Sequence, residues 1–275
     1  MDIYQKTTNF YQSFQGEKTV IGKSLLGRHI YAVKIGEGRP TGIAQYAIHG
    51  REFIVTELAF LHANIGVKKG SFWIIPLVNP DGALLSEVGL GSVSEEKHKQ
   101  WLLTLNGKAD FSLWKANARG VDLNVNFPAK WGKGVKNIKT AGAENYIGKK
   151  PFSEPESFAL KSFTQKIKPD YTVSYHTKGE EIYWYFHQSK ANCFRDEKMA
   201  LALSKTTGYP LKLAKGSVGG YKDWCIRRFK IPSFTIEAGA DTLRHPIRKE
   251  GLEDIWAKNK DVLSVIAEVF ETDKK

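Results

Sequence analysis

The chain has 275 residues, of which 41% are hydrophobic, so its composition excludes intrinsic disorder and allows one large domain with its own core. No apolar run has the length of a membrane span or of a signal-peptide core, so we expect a soluble protein that has no membrane partner. The two cysteines, Cys193 and Cys225, are too few for a disulfide framework.

The charge balance is strongly basic. Lysine and arginine number 41 against 29 aspartate and glutamate residues, which gives a formal net charge of +12. This sign favours anionic partners such as nucleic acids, anionic polymers or substrates rich in carboxylates. Because the lysines are scattered along the chain and accompany no nucleic-acid motif, we interpret them as a solubilising surface and expect no nucleic-acid partner.

Strand and helix signals alternate along the whole chain, and no linker or repeat divides them. In chain order the pattern predicts strands over residues 30–35 and 42–48, a helix over 52–63, a strand over 71–78, a helix over 154–166, strands over 171–175 and 182–186, a helix over 195–207, a strand over 232–236 and a helix over 252–270. The Asn-Pro-Asp-Gly sequence at 79–82 indicates a turn, and residues 82–127 are predicted to be dominated by loops. We therefore predict a single α/β domain over residues 1–275, with a sheet covered on both faces.

A histidine and a carboxylate stand three residues apart where the strand over 42–48 ends. A turn from strand to helix can direct His49 and Glu52 at one point, and the carboxyl ends of strands are where α/β sheets place their sites. His176 also follows an apolar strand and is the best candidate for a third ligand. Two histidines and one glutamate leave a position for water, as in a catalytic zinc site. The alternative is that these are polar residues whose hydrogen bonds are satisfied at strand ends.

Three further residues have the chemistry that a hydrolytic site needs. Glu237 ends the strand over 232–236 and can act as a general base, although a buried ion pair is the alternative. Arg119 can stabilise the negative charge of a tetrahedral intermediate, and Asp122 can accept the free imidazole N–H of a ligand histidine. For Arg119 and Asp122 the alternative is a hydrogen bond within a loop.

These residues, in this order, resemble the zinc metallocarboxypeptidase family, also called the carboxypeptidase A or M14 family. The resemblance runs from about residue 18 to about residue 239. It rests on His49-x-x-Glu52, the segments 79–82 and 119–124, His176, and the segments 219–224 and 234–237.

The resemblance implies a twisted mixed sheet of about eight strands between helices. It also implies one zinc ion per chain, held by His49, Glu52 and His176. By the same resemblance Glu237 is the general base, Arg119 polarises the scissile carbonyl, and Asp122 supports His49.

Two departures from the family pattern concern the substrate. Ordinary members have an arginine after the asparagine equivalent to Asn124, and the pair holds the terminal carboxylate of the substrate. Here the next residue is Val125, which cannot bind a carboxylate. The tyrosine that covers the substrate in pancreatic-type members falls on Lys215. The predicted substrate-binding residues are Asn124, Tyr221, Lys215 and Lys178.

The sequence around the site is similar to that of bacterial γ-D-glutamyl-diaminopimelate peptidases. The segments that carry this similarity are 121–131, 174–180 and 219–224. The resemblance implies hydrolysis of the bond from γ-D-glutamate to meso-diaminopimelate in peptidoglycan stem peptides. Without an export signal we expect a cytoplasmic location, and release by lysis or a role in sporulation stays open.

Two other functions remain as alternatives. A carboxypeptidase for ordinary C-terminal peptides is disfavoured by Val125. A non-catalytic binder of cell-wall peptides with the same fold is disfavoured because the full set is present, namely His49, Glu52, His176, Glu237 and Arg119. The oligomeric state is not predicted.

Overall fold

A computed structural model describes residues 1–214 and 216–272. Within them, eight strands form one sheet in the order β1-β2-β4-β3-β5-β8-β6-β7. The strands are β1 (Lys18–Lys23), β2 (His29–Gly36), β3 (Thr41–Tyr46), β4 (Ser71–Ile75), β5 (Tyr171–His176), β6 (Glu181–Tyr183), β7 (Leu211–Lys212) and β8 (Ser233–Glu237). The four strands β4, β3, β5 and β8 run parallel to one another. β1 pairs with β2, β2 with β4 and β6 with β8 in antiparallel fashion, and β7 runs parallel to β6. The predicted mixed eight-stranded α/β fold is confirmed.

Helices cover both faces of the sheet. They are α1 (Ile3–Ser13), α2 (Ile54–Ile65), α3 (Pro80–Val88), α4 (Glu96–Asn106), α5 (Pro155–Ile167), α6 (Lys190–Thr207), α7 (Tyr221–Phe229), α8 (Leu252–Asn259) and α9 (Val262–Thr272). Side chains of α2, α6, α8 and α9 share one core with one sheet face, and α5 and α7 pack on the other. Among the described residues, no helix combines the length and the apolar character that a bilayer span requires.

The central strands explain where the candidate residues lie. Every residue of β3 and β5 is buried, as expected for parallel strands that are covered on both faces. In the register of β5 and β8, His176 is paired with Glu237. Since β3 and β5 are also parallel, the chain that leaves β3 toward His49 emerges at the same edge of the sheet. The fold therefore brings His49, His176 and Glu237 to one edge.

Several predicted elements need correction. Residues 79–82 begin helix α3 rather than form a turn, because the Asn79 side chain accepts the Gly82 N–H at 2.9 Å and Pro80 occupies the first helical turn. The region 82–127 contains α4 as well, so it is not dominated by loops. The predicted strand over 182–186 already ends at Tyr183.

The predicted C-terminal helix is two helices, α8 and α9. The first ends at Asn259, whose side-chain amide donates to the Tyr209 hydroxyl at 3.0 Å and whose carbonyl oxygen lies 3.0 Å from Nε2 of His62. The pattern also left α1, β1, β7 and α7 without a prediction. The helix over 195–207 is longer than predicted, since α6 begins at Lys190, but it ends before Gly208, which adopts a φ of 76°.

Gly50 is required by close packing between backbone segments. A Cβ at this position would lie 2.4 Å from the Gly82 carbonyl oxygen and 2.8 Å from that of Trp114. We predict that Gly50→Ala lowers the free energy of unfolding by about 1–3 kcal/mol and the melting temperature by roughly 3–10 °C. Gly91→Ala is the matched control, because a Cβ there meets nothing within 4 Å. Equal melting temperatures for the two variants in a thermal scan would contradict this packing.

Candidate metal centre and substrate cleft

Three buried side chains converge at the carboxyl edge of the sheet. Nδ1 of His49 lies 2.9 Å from one carboxylate oxygen of Glu52, and Nδ1 of His176 lies 2.9 Å from the other. The two Nδ1 atoms are 3.1 Å apart. Residues 50–52 form a single 3-10 turn, which the Gly50 N–H anchors by donating to the Lys115 carbonyl at 2.9 Å. This turn directs Glu52 back toward His49.

The donor set fits a zinc ion. Tetrahedral zinc with bonds of about 2.1 Å to imidazole nitrogens places them about 3.4 Å apart, close to the observed spacing. Nitrogen and carboxylate donors are also the ligands that zinc prefers. Burial by itself would raise the pKa of Glu52, but the charges of His49 and His176 hold that pKa well below its usual range. Glu52 is therefore a carboxylate and can act as a ligand.

Asp122 connects the cluster to a half-buried cation. One of its carboxylate oxygens lies 3.2 Å from Nε2 of His49, and the other lies 3.0 Å from Nζ of Lys115. Burial alone would lower the pKa of Lys115, but the carboxylates of Asp122 and Glu52 raise it above its usual value. Lys115 is therefore a permanent positive charge beside His49.

Glu237 stands next to this group at the end of β8. It is partly exposed, because it lines cavities on two sides. Burial, assisted by the charges of Glu52 and Glu181, raises its pKa to about 7, although His176 and Lys115 act in the opposite direction. A carboxyl group with a pKa near neutrality can both accept and return a proton.

The predicted role of Arg119 is wrong. Its side chain is 48% exposed and lies 3.6 Å from a carboxylate oxygen of Glu154. It lines two cavities that contain neither the His49 cluster nor Glu237. The reason is a turn in which the Gly120 N–H donates to the Asn117 carbonyl at 3.0 Å, so that the chain reverses and carries Arg119 away.

Lys115, four positions earlier, lies beside His49 and Glu237, where the cation Arg119 was predicted to lie. The pattern of residues around it gave no direct signal.

The predicted substrate-binding residues have different outcomes. Asn124 lines both cavities beside Glu237. Tyr221 is wrong as a substrate contact, because its ring is fully buried and its hydroxyl lies 2.8 Å from that of Thr164. Lys178 donates to the Asp241 carboxylate at 2.7 Å and is not among the described residues that line either cavity. Lys215 lies outside the described residues.

Two cavities adjoin Glu237 and share Asn124, Ser217 and Glu237 as walls. We call the larger, of about 710 Å³, the mixed-charge cleft. Its charged walls are Glu181, Lys212, Lys222, Asp223 and Glu237. The smaller, of about 430 Å³, is the basic cleft. It is named after its basic walls, which are Arg51, Lys115 and Lys136, and its acidic walls are Asp122, Glu144 and Glu237. Because the clefts share walls, a groove passes Glu237 on both sides.

Lys222 and Asp223 were not predicted as site residues. They are 6% and 5% exposed and form an ion pair of 2.5 Å at the wall of the mixed-charge cleft. The Lys222 ammonium also donates to the Tyr185 carbonyl at 3.2 Å. Both residues lie in the first turn of α7, the helix that the sequence pattern did not reveal.

The chain is similar to proteins that are named as peptidases and amidases. It is 32% identical over 267 residues to γ-D-glutamyl-L-diamino acid endopeptidase 1 of Lysinibacillus sphaericus, which covers 90% of this chain and 66% of that protein. It is 31% identical over 164 residues to murein peptide amidase A of Escherichia coli K12, covering 56% of this chain and 57% of the relative. The chain thus spans less than two thirds of the length of either relative.

The fold is that of known carboxypeptidase structures. Bovine thrombin-activatable fibrinolysis inhibitor, solved in complex with tick carboxypeptidase inhibitor, superposes with a TM-score of 0.76 at 20% identity, over 99% of this chain and 98% of that one. The family model for zinc carboxypeptidases, Peptidase M14, matches residues 5–261. With this match over most of its length, the chain belongs to the Peptidase M14 zinc carboxypeptidase family.

Proposed function

We propose that this chain is a zinc-dependent peptidase that hydrolyses the bond from γ-D-glutamate to the diamino acid in peptidoglycan stem peptides. The observation that carries the proposal is the buried His49, Glu52 and His176 cluster, with Glu237 beside it between the two clefts. The names of the two relatives, a γ-D-glutamyl-L-diamino acid endopeptidase and a murein peptide amidase, support the choice of bond.

His49, Glu52 and His176 would hold the zinc ion. Zinc bound there supplies Lewis acidity, which polarises the scissile carbonyl and makes water more acidic. Asp122 fixes the orientation of the His49 ring through the contact with Nε2, so that Nδ1 is directed at the ligand position.

Glu237 acts as the base. Its carboxylate accepts a proton from the attacking water, whose oxygen forms the new bond to the carbonyl carbon. When the C–N bond breaks, Glu237 returns the proton to the nitrogen of the leaving diamino acid. Lys115 stabilises the negative charge that develops on the carbonyl oxygen, because its ammonium is fixed before the substrate arrives.

The mixed-charge cleft suits the leaving diamino acid. Diaminopimelate carries amines as well as carboxylates, so its binding site must present charges of both signs. Lys212 and Lys222 can meet the carboxylates, while Asp223 and Glu181 can meet the distal amine. Asn124 accepts the Tyr221 N–H through its side-chain oxygen at 3.1 Å, which leaves its amide N–H groups for a substrate carboxylate.

The basic cleft suits the γ-glutamyl side. A D-glutamate linked through its γ-carboxyl keeps a free α-carboxylate close to the scissile bond. Lys136 lines this cleft, and so does Arg51, which lies 3.3 Å from the Glu144 carboxylate. A cation on the acyl side can pair with the α-carboxylate, whereas Val125, which follows Asn124, cannot bind the terminal carboxylate of a plain C-terminus. Both features favour the γ-D-glutamyl substrate.

The test compares L-Ala-γ-D-Glu-meso-diaminopimelate with a blocked dipeptide that ends in an ordinary L-amino acid. We predict release of diaminopimelate with a kcat/KM at least about 100-fold above that for the dipeptide, because the charged walls of both clefts then pair with substrate. Product release is measured by liquid chromatography. Hydrolysis of the dipeptide alone would establish an ordinary carboxypeptidase, and hydrolysis of neither would support a non-catalytic binder.

Glu237→Gln is the control for this measurement. The variant keeps the shape of the side chain and all three ligand residues, so it should retain zinc while turnover falls by about 10²–10⁴-fold. Undiminished release of diaminopimelate by this variant would assign the activity to a contaminating peptidase or to a different base.

A second prediction separates Lys115 from Arg119. Lys115→Met should lower kcat on the tripeptide by about 10²–10³-fold, because the cation beside the developing charge is lost. Arg119→Met should cost at least about ten times less, since its guanidinium lies against Glu154 instead. Because Lys115→Met leaves Asp122 without its cation, Lys115→Arg is measured alongside and should keep part of the activity. A larger loss for Arg119→Met than for Lys115→Met would contradict the assignment.

A further inference from the structure

A further cavity lies next to the basic cleft, on the other side of the segment that contains residues 144–146. Glu144 and Asn145 line the basic cleft, whereas the next residue, Tyr146, lines a separate cavity of about 410 Å³. That cavity adjoins another of about 540 Å³, and the two share Trp101 and Arg119 as walls. We call this pair of cavities the Trp101 site.

Trp101 offers an aromatic surface to a ligand. It lies on α4 with 40% of its surface exposed. The ring of His98 packs edge-on against it at 5.5 Å, and Nε2 of His98 lies 2.7 Å from the Ala118 carbonyl oxygen. The indole is therefore held in place while one side stays accessible. An exposed tryptophan fixed between two cavities is a platform for the apolar face of a ligand ring.

Arg119 offers a half-exposed cation next to that platform. Both carboxylate oxygens of Glu154 already accept side-chain hydrogen bonds, one from Ser153 at 2.7 Å and the other from Asn117 at 2.9 Å. The guanidinium of Arg119 lies 3.6 Å from this buried carboxylate and is half exposed. Because a guanidinium has five N–H donors in a planar fork, most of its donors stay available to bind a carboxylate.

The other charged walls restrict the kind of ligand. Lys97, Lys149 and Lys150 add positive charge, while Glu95 and Glu154 add carboxylates. Carboxylates repel a chain of phosphates but accept hydrogen bonds from hydroxyl groups. A ligand with one anionic group and several hydroxyls fits this combination better than a polyanion.

We propose that the Trp101 site binds a saccharide that carries a carboxylate. The sugar ring packs on the Trp101 indole, its carboxylate pairs with Arg119, and its hydroxyls bond to Glu95 and the neighbouring lysines. This site goes beyond the proposed peptidase function and does not depend on it, because it contains no residue of the metal cluster. Binding of a saccharide at the Trp101 site can be measured by titration, without turnover of a peptide substrate.

The test is a calorimetric titration of the full chain with N-acetylmuramic acid, N-acetylglucosamine and inorganic phosphate. N-acetylmuramic acid should bind saturably, with one site per chain. N-acetylglucosamine, which lacks the carboxylate, and inorganic phosphate, which lacks the ring, should each bind at least about tenfold more weakly. Equal affinity for phosphate would reduce the site to a general anion site, and equal affinity for N-acetylglucosamine would remove Arg119 from it.

Single substitutions test whether the saccharide binds at the Trp101 site. Trp101→Ala and Arg119→Gln should each weaken the binding of N-acetylmuramic acid by about tenfold or more. Phe194→Ala and Arg228→Gln are the matched controls, because each removes an exposed side chain of similar chemistry elsewhere, and they should leave the affinity unchanged. Thermal scans confirm that the variants are folded. Unchanged affinity in both Trp101→Ala and Arg119→Gln would overturn the proposal.

Discussion

The register of three parallel strands is the constraint on which the site depends. β3, β5 and β8 are neighbours in the sheet, and their carboxyl ends lie at one edge. His176 and Glu237 are paired directly across two of these strands. A shift of one residue in that pairing would turn one of the two side chains to the opposite face. Because β3 and β5 are buried on both faces, the apolar core itself fixes the register.

The charges that converge at this edge depend on one another. Glu52 and Asp122 are buried carboxylates, and burial of unpaired carboxylates is costly. The two histidines and Lys115 offset that cost, and a divalent cation among the donors of His49, Glu52 and His176 would offset it further. Burial of the Glu237 carboxyl beside the same negative charges raises its pKa to about 7, although part of the residue is exposed to the clefts. The burial of the three candidate ligands therefore goes together with a raised pKa of the neighbouring base, Glu237.

The position of a candidate site residue could be predicted from the sequence where a short strand leads to a defined edge of the sheet. The runs before His176 and Glu237 are apolar and short, and β5 and β8 end at these two residues. β3 ends at Tyr46, two residues before the predicted end at 48, and the turn that follows still brings His49 to the same edge. The position could not be predicted where a turn sets the direction of a side chain. The reversal at Gly120, where φ is 68°, separates Arg119 from Lys115, and composition does not distinguish the two cations.

The prediction of helices from the sequence is limited in the same way, because tertiary packing decides between local alternatives. Asn-Pro-Asp-Gly at 79–82 is compatible with a turn and with a helix start, and only the packing of α3 distinguishes them. α7 places Tyr221 in the core and Lys222 at the cleft, although they are adjacent in sequence. Their difference depends on which side of the helix faces the sheet, and this follows from tertiary contacts with β5 and β8.

The proposed mechanism requires that His49, Glu52 and His176 hold one zinc ion. The decisive experiment is anomalous diffraction from crystals grown with zinc, measured on both sides of the zinc absorption edge. We expect one strong zinc peak per chain within bonding distance of Nδ1 of both histidines and of the Glu52 carboxylate, about 2.0–2.2 Å. No zinc peak at these three residues, or a peak only at another site, would contradict it.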